Sequence, residues 1–142
     1  MFLNNEQIKN IIPHRTPMLM IDSVSDLVPG ISITAENHFS ETWEIYRGHF
    51  PSKPVTPGIY LIESMAQAAD IMLLSLPENS GKTPFLVGIS RIRFMRSVLP
   101  GDNIVIRAEL SQTGGGGLYE CSASVSVDGK KAASGLITLA LK

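Results

Sequence analysis

The stretch "GHFPSKPVTPGIYLIESMAQAADIM", residues 48–72, decides the fold. It passes from a loop carrying Pro51, Pro54 and Pro57 straight into a long apolar run. Pro57 suits a first helical position, where its missing N–H is no loss, and Pro77 closes the run. A helix is therefore predicted from Pro57 to about Ser75. At about 100° per residue, Ile59, Leu61, Ile62, Met65, Ala66, Ala68, Ala69, Met72 and Leu73 cover about half of its circumference. Ile71, Leu74 and Tyr60 lie beyond that arc, which leaves Glu63, Gln67 and Asp70 as a narrow polar stripe. A surface helix shows a wider polar face, so the pattern predicts a helix around which a sheet curls.

The segments on either side supply that sheet. A short helix begins at Asn4 or Asn5 and ends before Pro13. "MLMIDSV" (18–24) and "ISITAENHF" (31–39) read as strands, the second with Ile31, Ile33, Ala35 and Phe39 at period two. Pro29-Gly30 turns the chain between them, and residues 40–57 read as an irregular loop. After the long helix come "FLVGISRIRFMRSV" (85–98), "NIVIRAELSQ" (103–112), "LYECSASVSV" (118–127) and "KKAASGLITLAL" (130–141). Pro100-Gly101-Asp102 turns the chain, Gly114–Gly117 form a hairpin loop, and Asp128-Gly129 is a strong hairpin signal. One long helix followed by a run of antiparallel strands is an α+β order, and not an alternating parallel one.

Composition narrows the function. The 142 residues suit one domain, 1–142, and 44% hydrophobic with 18% charged residues is an ordinary globular balance. A formal net charge of −1 offers no general attraction to nucleic acid or an anionic membrane. The polar N-terminus lacks a signal-peptide core and no apolar run reaches a membrane span, so the cytoplasm is the expected compartment. Cys121 is alone on a predicted strand and reads as a buried, inert thiol. "SGKT" (80–83) lacks the first glycine of a phosphate loop, and "GISRI" lacks the last glycine of a nucleophile elbow. His14, His38 and His49 have no ligand-like spacing, so no metal site is expected.

His49 and Glu63 remain. Alone, a histidine in a proline-rich loop reads as structural, and Glu63 as part of a solvated stripe. Together they offer a base that takes a proton near neutral pH and a carboxyl that, in apolar surroundings, can give one. The N–H groups of Gly58 and Ile59, at a helix N-terminus, can stabilise an enolate-like oxygen. These are the requirements of an elimination.

These residues resemble the 3-hydroxyacyl-[acyl-carrier-protein] dehydratases of bacterial fatty-acid synthesis, a hotdog-fold family. The resemblance runs through "IPHRTPMLMID" (12–22), "GHFPSKPVTPG…ESMAQAA" (48–69), "GISRIRFMRSVLPGD" (88–102) and "VDGKKAASG" (127–135). It implies an antiparallel sheet wrapped around one long helix. It implies His49 as the base at C2, Glu63 as the group that expels the 3-hydroxyl as water, and Gly58 as the amide at the thioester carbonyl. Glutamate at 63, where the dehydratase/isomerase branch usually has aspartate, indicates the non-isomerising branch. Ser52 and Thr56 stand where the family usually has glycine and an apolar residue, which leaves chain length and a specialised polyketide or aryl polyene pathway open. The implied partner is an acyl carrier protein with a phosphopantetheine-linked chain, docked by Arg91, Arg93 and Arg96. Alternation places Arg91 and Arg93 on one strand face, and the bland reading of the arginines is a solvated face. No cofactor is required, and the implied assembly is a homodimer, with further assembly into a trimer of dimers left open. A hotdog thioesterase and a non-catalytic assembly subunit are the competing readings. The first leaves His49 without a task and the second predicts loss of His49 or Glu63.

Overall fold

The computed structural model describes residues 2–142. Helix α1 (Asn5–Lys9) is capped by Asn4, whose side chain accepts from the Gln7 amide while Gln7 returns a bond to Asn4. Helix α2 spans Gly58–Leu74, with Pro57 as its N-cap, so it starts one residue later than the sequence suggested. Six strands follow the chain order β1 (Ser23–Val28), β2 (Ser32–His38), β3 (Pro84–Phe94), β4 (Asn103–Thr113), β5 (Leu118–Val127) and β6 (Lys130–Leu141). They form one antiparallel sheet in the order β1-β2-β4-β5-β6-β3. The α+β architecture is the expected one, a sheet curled about a single long helix.

The curl is visible in α2, which is buried on nearly every side. Met65, Ala68, Ala69, Ile71, Met72 and Leu73 are fully enclosed, including Ile71 from outside the main apolar arc. The alanines matter because they let strands approach the helix axis closely. The Pro29-Gly30 turn docks on the far end of α2, where the Gly30 N–H donates to the Met72 carbonyl at 3.0 Å. That bond satisfies one of the carbonyls a helix leaves free at its C-terminus. Gly30 has φ of +74°, and a side chain there would also strike Leu76, so glycine is required twice over. Asp128 and Gly129, with φ of 51° and 77°, form the tight turn expected between β5 and β6.

Three strand assignments need correction. Residues 18–22 are not a strand, and β1 starts at Ser23 and runs on through the stretch read as a turn approach. Met20 and Ile21 are both buried although they are consecutive, a departure from the alternation of a strand with one solvated face. Their backbone is held by a side chain instead of a ladder. The Gln67 carboxamide accepts from the Met20 N–H at 2.8 Å and donates to the Met18 carbonyl at 2.8 Å. The second correction concerns Ile31, which sits in the turn and is exposed, while Ile33, Ala35 and Phe39 face inward as expected. The segment after the helix leaves the sheet at Phe94, so 95–98 is not strand. There the Val98 carbonyl accepts from the Thr56 N–H at 2.8 Å and ties the segment to the start of α2.

β3 is an edge strand with apolar side chains left open. Phe85, Leu86, Val87 and Ile89 are each close to half exposed. No helix among the described residues is long and apolar enough to cross a membrane.

Gln67→Leu tests the anchoring of 18–22. The substitution keeps the apolar volume but leaves a buried N–H and carbonyl unpaired, each worth about 1–3 kcal/mol. Urea unfolding should show a loss of about 2–4 kcal/mol with an unchanged m-value. A loss under half a kcal/mol would mean the segment is held by its apolar side chains alone.

Candidate active site

The proline-rich loop is closed by its own backbone. The Val55 N–H donates to the His49 carbonyl at 2.9 Å, and His49 Nδ1 lies 3.0 Å from the Val55 carbonyl. A carbonyl can only accept, so Nδ1 carries the ring proton. Nε2 is then the unprotonated nitrogen, oriented by a bond on the other side of the ring. Phe50 stacks on the imidazole with 4.1 Å between ring centres. Beneath the loop, Trp43 packs edge-on against Tyr60 of α2 at 4.8 Å, and the Thr56 and Tyr46 hydroxyls are 2.5 Å apart in the interior. Thr56 is thus a polar residue in a buried position that Tyr46 satisfies. Ser52 is exposed on the loop.

Glu63 lies one turn into α2 and keeps about a fifth of its side chain accessible, at 20%. Its Oε1 accepts from Gln67 Nε2 at 2.9 Å. The stripe of Glu63, Gln67 and Asp70 is not solvated, because residues 14–22 lie across it. Gln67 and Asp70 are buried, and His14 projects into the same place. His14 Nε2 is 3.7 Å from Glu63 Oε1 and 3.9 Å from Asp70 Oδ2. Burial pushes the Asp70 carboxyl up to about 8, and the Glu63 charge adds to it. Burial holds His14 below the usual histidine value, Glu63 pulls it back up, and Arg15 lowers it further. His14 is the site residue that sequence reasoning missed. Judged for metal-ligand spacing it had no partner, and only the placement of 14–22 across the stripe gives it one.

No hydrogen bond or ion pair joins His49 to Glu63 among the described residues. The N–H groups of Gly58 and Ile59 have no acceptor, as expected at a helix N-terminus. They open beside a cavity of about 380 Å³ lined by Thr56, Gly58, Leu61, Phe94, Arg96 and Val98. The Phe94 ring lies so close to Gly58 that an added Cβ would sit 2.7 Å from it. A larger residue at 58 would displace the Phe94 ring from the helix end.

The three arginines do not share one environment. Arg91 has φ of +53° at a bulge, where three steps of β3 from Ser90 to Arg93 face two of β6 from Leu136 to Ser134. Simple alternation therefore does not place Arg91 and Arg93. Arg91 lines a groove with Arg107 and Lys131, whereas Arg96 lines the cavity at the helix end. All three are exposed. Cys121 is buried, its thiol pushed up to about 12 by burial and then by the charges of Asp70 and Glu120, so it is inert. No group of residues suited to a metal ion occurs among the described residues.

Comparison with known proteins identifies the lineage. Residues 12–135 match a family model described as a FabA-like domain. The chain is 42% identical over 137 residues to the 3-hydroxyacyl-[acyl-carrier-protein] dehydratase FabZ of Ligilactobacillus salivarius, covering 96% of each chain. It is 41% identical over 110 residues to the enzyme of the same name from Enterococcus faecalis, covering 78% of each. Among solved structures, the dehydratase heterocomplex ApeI:P from Xenorhabdus doucetiae superposes with a TM-score of 0.77 at 17% identity. That alignment covers 95% of this chain and 90% of the other, and it establishes the shared hotdog fold. The chain belongs to the FabA-like family and, within it, to the 3-hydroxyacyl-[acyl-carrier-protein] dehydratases.

Proposed function

We propose that the protein dehydrates (3R)-hydroxyacyl chains carried on acyl carrier protein to trans-2-enoyl chains, in the cytoplasm, as a step of fatty-acid synthesis. The observation that carries this reading is the state of His49. With Nδ1–H held by the Val55 carbonyl, Nε2 has a free lone pair. It takes the proton from C2, and the electron pair moves toward the thioester carbonyl. The unpaired N–H groups of Gly58 and Ile59 receive the negative charge that develops on that oxygen. As the enolate collapses, the bond from C3 to its hydroxyl breaks, and Glu63 delivers a proton so that water leaves. His49 returns its proton to solvent and Glu63 is recharged, so each turnover balances. The protein supplies every group, and no cofactor enters.

The functional unit is a homodimer, joined along β3. That edge carries a row of unpaired backbone groups and half-exposed Phe85, Leu86, Val87 and Ile89, a combination that a second copy covers well. His49 and Glu63 have no direct contact within one chain, which fits sites that take the histidine from one copy and the glutamate from the other. Carrier-protein docking falls to Arg91, Arg93 and Arg96, exposed on and after that edge.

His49→Ala and Glu63→Gln each test the assignment. Both lie where side-chain loss leaves the backbone bonds intact, so the fold should survive. Turnover, followed by enoyl-thioester absorbance, should fall by about 10²–10⁴ for His49→Ala and strongly for Glu63→Gln. Near-normal turnover by either would remove that residue from the chemistry. Release of free thiol without enoyl product would instead identify a thioesterase.

Neutralising Arg91, Arg93 and Arg96 together tests docking. Use of the carrier-linked substrate should weaken more than use of a short thioester mimic, and the difference should shrink at high salt. Equal loss on both substrates would sink the docking role.

A further inference from the structure

The proposed reaction uses Glu63 but leaves unexplained a second carboxyl buried behind it. Asp70 lies two turns further along α2, with its side chain 5% exposed. Its Oδ1 and the Nδ1 of His14 are both buried without a partner. Uncompensated polar atoms are costly inside a protein, and two in one small cluster call for an explanation. The third member is rigid. Gln67 spends its carboxamide on Met20, Met18 and Glu63, so it cannot turn to serve Asp70.

What remains is one imidazole nitrogen facing two carboxyls. His14 Nε2 stands 3.7 Å from Glu63 and 3.9 Å from Asp70, too far for hydrogen bonds to either and within charge reach of both. We propose that Asp70 is a positioning residue for Glu63, acting through the His14 ring that lies between them, whose orientation follows the charge on each carboxyl. This rests on Glu63 serving the reaction.

The charges around the cluster support it. From α2 come Glu63 and Asp70 and from the 14–22 segment His14 and Arg15. From β5 comes Cys121, whose thiol responds to Asp70 and to Glu120. Two carboxylates here repel, and no buried lysine or arginine offsets them among the described residues. Below about pH 8 Asp70 keeps its proton and the His14 ring is free to serve Glu63. Above it, the Asp70 carboxylate attracts the Nε2 proton of His14 and draws the ring from Glu63. Turnover should therefore fall as Asp70 ionises.

The experiment compares pH profiles of kcat and KM for wild type, Asp70→Asn, His14→Ala and the double variant, with Glu63→Gln as reference. Asp70→Asn keeps shape but cannot exchange a proton. It should keep kcat and KM near wild type at pH 7, where Asp70 is itself neutral, and remove the decline near pH 8. The double variant should be no slower than His14→Ala, because Asp70 acts through that ring. Unfolding temperature separates this from a folding defect: Asp70→Asn should match or exceed wild type at pH 8, where burying the carboxylate is most costly. Wild-type kcat with the decline retained, or losses that multiply in the double variant, would overturn the proposal. An active Glu63→Gln would instead overturn the reading of Glu63 on which it rests.

Discussion

A helix enclosed on nearly all sides must find partners for its polar side chains within the protein, and in this fold the Gln67 carboxamide is where most of them are found. Three hydrogen bonds leave it, two to the backbone of residues 18 and 20 and one to Glu63. The first two replace a strand ladder and pin 18–22 across α2. The third fixes the carboxyl that the proposed reaction needs. The position of Glu63 is thus set by the same contacts that close the core, and the site inherits the rigidity of the interior.

The loop before the helix is organised by the opposite principle. Its prolines remove backbone donors, while the Lys53 and Val55 N–H groups are spent within the loop and that of Thr56 on Val98. His49 gains a defined tautomer because a backbone carbonyl lies on one side of its ring. The charge-stabilising N–H groups come free, since the first turn of any helix leaves them unpaired. The proposed base, acid and oxyanion donors thus arise from three ordinary constraints: a closed loop, a buried stripe tied down by Gln67 and a helix end.

Much of this is legible in the sequence. The width of the apolar arc on 58–74 announces a wrapped helix, and Asp128-Gly129 places the last hairpin to the residue. Misreadings occur where a side chain substitutes for regular backbone pairing. Residues 18–22 look like a strand because Met18, Met20 and Ile21 are apolar, yet Gln67 holds them, and a bond between positions so far apart has no local signature. Arg91 and Arg93 look alternately placed until a bulge intervenes, and a left-handed arginine is not foreseeable from local propensity. His14 is invisible for the same reason as 18–22: its meaning depends on which helix face the segment covers. The polar stripe itself was seen, but its burial was not, since periodicity reports a face and not what lies upon it.

The central claim is that His49 and Glu63 serve one site although neither touches the other within a chain. Unfolding a His49→Ala chain together with a Glu63→Ala chain and refolding the mixture addresses it directly. If each site draws its two groups from different copies, every mixed dimer has one complete site and one empty of both. Random pairing makes about half of the dimers mixed, so activity should return to about a quarter of wild type. If the mixture stays as inactive as its parents while mixed dimers form, the two residues serve the same chain and the shared-site account is wrong.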